Sequence, residues 1–93
     1  MIELYQAEWC PDSHRVRQRL TELGLTFLAR QVAAEPSRRD AMRAATGHVE
    51  IPVLMVEGGP IAGSADVIIG ELDRRFEERE DAGQHKENAR GTV

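Results

Sequence analysis

The chain has 93 residues, 41% of them apolar and 4% aromatic, and a formal net charge of -4. That supplies one compact core and not two, and the basic residues are scattered rather than gathered into a stripe, which argues against nucleic-acid binding. The longest apolar stretches are broken by Pro52 and Asp66 and fall short of a membrane span, and the opening residues Met1-Ile2-Glu3-Leu4-Tyr5 lack the basic-then-apolar pattern of a signal peptide.

Taken in chain order, Ile2, Leu4 and Gln6 alternate with Glu3 and Tyr5 and predict a first strand ending at Tyr5 or Gln6. A loop over residues 7–10 follows. Over residues 11–24, Val16, Leu20 and Leu23 recur at helical spacing, with Pro11 suited to a first turn and Gly24 to a C-terminal stop. Residues 25–32 carry β-branched and aromatic side chains and predict a second strand, parallel to the first if the helix is a right-handed crossover. Ser37 and Asp40 stand at capping-box spacing ahead of Ala41, Met42 and Ala45, so a second helix is expected to run to Gly47. Residues 52–56 predict a buried strand, and Glu57-Gly58-Gly59 predicts a hairpin into a short antiparallel strand over residues 60–62. Gly63-Ser64 supplies a turn and N-cap for a last helix lined by Ile68 or Ile69, Leu72 and Phe76. Beyond Glu77 only Ala82, Ala89 and Val93 are apolar, so the folded domain is expected to span residues 1–79, with residues 80–93 a disordered tail.

Cys10, the only cysteine, sits in Trp9-Cys10-Pro11-Asp12-Ser13-His14 between the first strand and the first helix. Unpaired N–H groups and the macrodipole at a helix start favour a thiolate, and thiols so placed titrate in a range of roughly 3.5 to 7.5 rather than about 8.5. The polar run after Pro11 suits an exposed, reactive sulfur better than a buried inert one. Ser13 occupies the place where a second cysteine would complete C-x-x-C, so any disulfide chemistry must borrow its second sulfur from another molecule. An unpaired cysteine also suits a reducing, cytoplasmic compartment.

The element order β-α-β-α-β-β-α, together with Trp-Cys-Pro-Asp-Ser at residues 9–13, Thr-Gly-x-x-x-Ile-Pro at 46–52 and Gly-Ser-Ala-Asp at 63–66, resembles the glutaredoxin family. It is also similar to the N-terminal domain of glutathione S-transferases. The resemblance covers residues 2–76 and implies an α/β, thioredoxin-like fold with a four-stranded mixed sheet flanked by three helices. It implies that Cys10 is the nucleophile, that Pro52 is a cis-proline facing it, and that the backbone of Ile51 pairs with an extended substrate. An ordinary trans proline opening an edge strand is the plainer reading of Pro52. By the same resemblance Ser64 holds the γ-glutamyl carboxylate of glutathione, Asp66 its amine, and Arg39 the glycine carboxylate. Beside these stand plainer readings: Ser64 as an N-cap, Asp66 as a favourable first-turn carboxylate, and Arg38, Arg39 and Arg43 as a solvated helix face. Trp9 packs beside the thiol or shields its loop, and His14 and Arg15 either stabilise the thiolate or point away from it.

The pattern departs from the family at three places. Ala7 replaces a lysine, Ala65 replaces an aspartate or serine, and Asp12 replaces an aromatic residue, while Glu8 adds a further negative charge that opposes a thiolate and an anionic ligand. The resemblance implies a monothiol thiol–disulfide oxidoreductase that uses glutathione or an equivalent low-molecular-weight thiol as co-substrate. Its expected partners are glutathionylated or disulfide-bearing proteins, with no nucleic acid or membrane, and the chain is expected to be a monomer. The alternative is a non-catalytic module that binds glutathione or an Fe–S cluster, or a redox adaptor. One cysteine excludes a four-cysteine cluster site within one chain, and no metal is expected. A complete transferase is not expected without a helical substrate domain.

Overall fold

The computed structural model describes residues 1–90. Strand β1 (Ile2–Gln6) leads into helix α1 (Pro11–Glu22), then strand β2 (Phe27–Gln31), a single 3-10 turn (Pro36–Arg38) and helix α2 (Asp40–Thr46). Strands β3 (Val53–Val56) and β4 (Gly59–Ile61) precede helix α3 (Ala65–Arg75), and a fourth helix, α4 (Ala82–Ala89), follows. The four strands form one mixed sheet in the order β2-β1-β3-β4. β1 runs parallel to β2, with Leu4 beside Ala29, and antiparallel to β3, with Leu4 beside Leu54.

Side chains alternate across a pleated sheet, which places Leu4, Leu54 and Ile61 in one core with Val16, Leu20 and Leu23 of the α1 region and Ala65, Ile68 and Leu72 of α3. Helices α1 and α3 thus cover one face. On the other side Met42 of α2 is buried and shares a cavity wall with Tyr5 of β1. The hairpin between β3 and β4 turns through Glu57 (φ 49°) and Gly58 (φ 82°), the positive-φ pair that matches strand twist. This α/β, thioredoxin-like arrangement is the one expected, with most strand and helix ends trimmed by one to three residues and β4 shifted one residue earlier than the expected 60–62.

The C-terminal stretch differs from expectation. Residues 80–90 do not form a disordered tail: α4 packs on α1, with Ala82 buried, while the remaining residues 91–93 lie outside those described. The docking is largely polar, which is why an apolar count misses it. The Arg79 N–H donates to Glu22 O at 3.0 Å, and Gln18 Nε2 donates to His85 O at 3.3 Å. Arg19 of α1 pairs with Glu22, with Asp73 and with Glu78, and Lys86 returns to Glu78 at 2.7 Å. Burial disfavours the Arg19 charge, but hydrogen bonds to Glu78, Glu22 and Asp73 outweigh it and hold the guanidinium above its ordinary pKa.

Candidate functional site

Cys10 is the N-cap of α1, in extended backbone conformation, with Pro11 in the first turn. Its N–H donates to Ala7 O at 3.2 Å, closing a tight turn after β1. The Ser13 N–H donates to Cys10 Sγ at 3.4 Å, so an otherwise orphaned helix-start donor is aimed at the sulfur. Cys10 is only 9% exposed, less open than its polar neighbours suggest, while Trp9 beside it is 66% exposed. Ser13 is fully buried, and its hydroxyl accepts from the Ala7 N–H at 3.4 Å, so the residue in the second-cysteine position secures the loop that carries Cys10.

A polar network underpins that loop. Gln6 is fully buried, donates from Nε2 to Glu8 and to Gln31 at 3.1 Å each, and accepts from Arg17. Arg17 Nη1 also stands 3.5 Å from the Glu8 carboxylate, so the charge expected to oppose a thiolate has a cationic partner. Gln6 lies two residues from core Leu4 on the same strand face, and a polar side chain there needs partners. That spacing was the sequence signal for Gln6; Arg17 offered none.

Across from the helix start, the Ile51–Pro52 peptide bond is cis and Pro52 is buried. Ile51, Asp12, His48, Glu50, Ala62, Gly63 and Ser64 line a cleft of about 580 Å³. Ile51 and Ser64 of the expected ligand residues therefore share one cavity, with Asp12 of the active-site segment. Ser64 caps α3, its Oγ accepting from the Val67 N–H at 3.2 Å. Gly63 before it has φ 122°, and a Cβ there would stand 3.4 Å from the Val67 side chain, so the turn into the cap requires glycine. His48 and Glu50 were not singled out from sequence: they are unspecified positions of Thr-Gly-x-x-x-Ile-Pro, and spacing alone does not say which side chains face the cleft.

Two expected ligand residues are engaged elsewhere. Asp66 Oδ1 pairs with Arg15 Nη2 at 2.5 Å, joining the first turn of α3 to the second turn of α1, and this bond raises the Arg15 pKa above its usual value. Arg39 is 5% exposed and belongs neither to a solvated helix face nor to the cleft lining. Its guanidinium donates to Ala33 O at 2.7 Å, to Val49 O at 2.7 Å and to Ala34 O at 3.0 Å. A reach to a glycine carboxylate would have to give up these bonds.

The family model for glutaredoxin matches residues 2–61. The chain belongs to the glutaredoxin family. Glutaredoxin 3 of Escherichia coli (strain K12) is 26% identical over 66 residues, covering 71% of this chain and 80% of that protein. Among solved structures, a rice glutathione S-transferase in complex with glutathione superimposes with a TM-score of 0.72 at 26% identity, covering 96% of this chain and 44% of the transferase. A silkworm glutathione S-transferase gives 0.71 at 24% identity over 83% of this chain and 38% of its own. The glutaredoxin-type chain thus spans less than half of these transferases, matching their thioredoxin-like part. A mutant form of the thioredoxin-like protein BC3987 shares the fold at nearly its full length, with a TM-score of 0.65 at 20% identity, covering 80% of this chain and 96% of that one. Glutaredoxin membership supports thiol–disulfide oxidoreductase chemistry as the kind of activity to expect at this site.

Proposed function

We propose that this glutaredoxin-family chain is a monothiol thiol–disulfide oxidoreductase acting on mixed disulfides of glutathione or an equivalent small thiol. The observation that carries the reading is the sole cysteine as the N-cap of α1 with the Ser13 N–H on its sulfur, two residues before Asp12, which lines a cleft with Ile51 and Ser64.

In this reading the Cys10 thiolate attacks the small-thiol sulfur of a protein mixed disulfide. A Cys10–small-thiol disulfide forms, the old S–S bond breaks, and the protein sulfur leaves with the electron pair and takes a proton. A second small-thiol thiolate then attacks the small-thiol sulfur of the adduct, regenerating Cys10 and releasing the oxidised small-thiol dimer. Ser13 has no sulfur with which to intercept the adduct. Ile51 offers its backbone to the bound segment, and Ser64 with the start of α3 offers an anion site. Asp66 is to exchange Arg15 for the γ-glutamyl ammonium. That the similar rice transferase was solved in complex with glutathione supports a small thiol as co-substrate. We further place the chain in the cytoplasm as a monomer, acting on glutathionylated or disulfide-bearing proteins. Among its described residues no helix is long and apolar enough to cross a membrane.

The test is turnover on a glutathionylated peptide. The unmodified chain is expected to release peptide thiol steadily in the presence of glutathione and Cys10→Ser to give only the uncatalysed rate; equal rates overturn the proposal.

A further inference from the structure

Arg39 is the one residue whose observed role differs most from the expected one, and its new position has functional content. A nearly buried guanidinium requires partners for its charge and its donors. Among the described residues no carboxylate pairs with Arg39; three backbone carbonyls receive its donors instead. Ala33 and Ala34 follow β2, the edge strand of the sheet, whereas Val49 belongs to the loop between α2 and β3. Val49 sits between His48 and Glu50 and two residues before Ile51, and all three of those line the cleft.

The loop is held at one further point only a residue away. Thr46 Oγ1 accepts from the His48 N–H at 3.0 Å, next to the Gly47 C-cap at φ 78°. The backbone of Arg39 is itself placed by the junction of the 3-10 turn and α2, where its N–H donates to Pro36 O at 3.2 Å and its carbonyl accepts the first α2 bond from the Arg43 N–H at 3.0 Å. A rigid base, a planar fork and three acceptors make a bracket from the sheet edge to the cleft wall.

We infer that Arg39 is a positioning residue of the cleft: by holding Val49 against the end of β2 it sets the wall formed by His48, Glu50 and Ile51 at the spacing a bound polypeptide or thiol requires, without touching substrate. The inference rests on the proposed reading of the cleft as the substrate site. Lysine at this position keeps the charge but not the fork, and a point ammonium does not span the same three acceptors. Each charge-assisted bond lost is worth about a tenfold change in an equilibrium that depends on it.

The experiment compares Arg39→Lys with the unmodified protein on two substrates and by amide exchange. Bis(2-hydroxyethyl) disulfide requires only that a sulfur reach Cys10, whereas a glutathionylated peptide also uses the wall. Arg39→Lys is expected to react with the small disulfide within about twofold of the unmodified rate and to lose about tenfold in kcat/KM on the peptide through KM. Amide exchange should quicken at His48 and Glu50 and stay unchanged at Leu4 and Leu54. Ile68→Val, a core change remote from the cleft, supplies the pattern of general destabilisation. A parallel fall on both substrates, matching that pattern, overturns the inference, as does no change on either. The Arg39 Nε proton of the unmodified protein gives a reading that needs no variant: it should exchange as slowly as core amides, and rapid exchange overturns the bracket. Absence of Cys10-dependent turnover in the unmodified protein would overturn the oxidoreductase reading instead, and the exchange measurements would still decide Arg39.

Discussion

Cys10 and Ser13 divide between them what a two-cysteine site would unite. The sulfur receives the Ser13 N–H, while the Ser13 side chain is spent on the Ala7 N–H. Restoring a second thiol changes the chemistry without moving the helix start. Ser13→Cys is expected to form an intramolecular disulfide that expels the small thiol from the Cys10 adduct, seen by mass spectrometry as loss of the adduct; persistence of the adduct refutes it. The cysteine, its proline and the helix beginning there were readable from sequence because each follows a local rule. The bonds of Arg39 were not, since Arg38, Arg39 and Arg43 look alike in sequence until the loops around them close.

At the scale of elements, the sheet and the first three helices follow from alternation, helical spacing and turn residues, all local signals. Helix α4 does not, because its docking depends on Glu78, paired with Lys86, reaching Arg19 and on the Arg79 N–H reaching the Glu22 carbonyl, partners far away in sequence. Its attachment should therefore respond to acid. Hydrogen bonds from Lys86 and Arg19 lower the Glu78 pKa from its ordinary 4.5. A carboxylate whose folded pKa is depressed stabilises the folded form above the unfolded pKa, and that contribution is lost as pH falls through the folded value. Amide protection factors over residues 82–89 should accordingly fall below about pH 4.5 before those of the core amides of Leu20 and Ile68. Simultaneous loss of protection everywhere would show that α4 is not separately held.

For the molecule as a whole, a net charge of -4 and the carboxylates of Asp12 and Glu50 in the cleft set its encounters with anions. In the proposed function the co-substrate glutathione carries more carboxylate than ammonium charge, so its approach is repulsive at low salt. Raising the ionic strength from about 0.01 M to about 0.1 M shortens the Debye length from ~30 Å to ~10 Å. The rate with an acidic glutathionylated peptide should rise over that interval, and with a lysine-flanked peptide it should fall. Identical salt responses would mean that the cleft carboxylates do not meet the substrate. Net charge was plain from composition, but its local sign required knowing that Glu50 and Asp12, 38 positions apart, line one cleft.

The single tryptophan and the single cysteine are chain neighbours, and the indole stands largely in water while the sulfur beside it is nearly covered. Sulfur that changes its bonding changes the surroundings of the only strong fluorophore. Under the proposed function the protein thus carries its own optical gauge beside the sulfur, and the formation and release of a Cys10 adduct is expected to register in Trp9 fluorescence without attaching a dye.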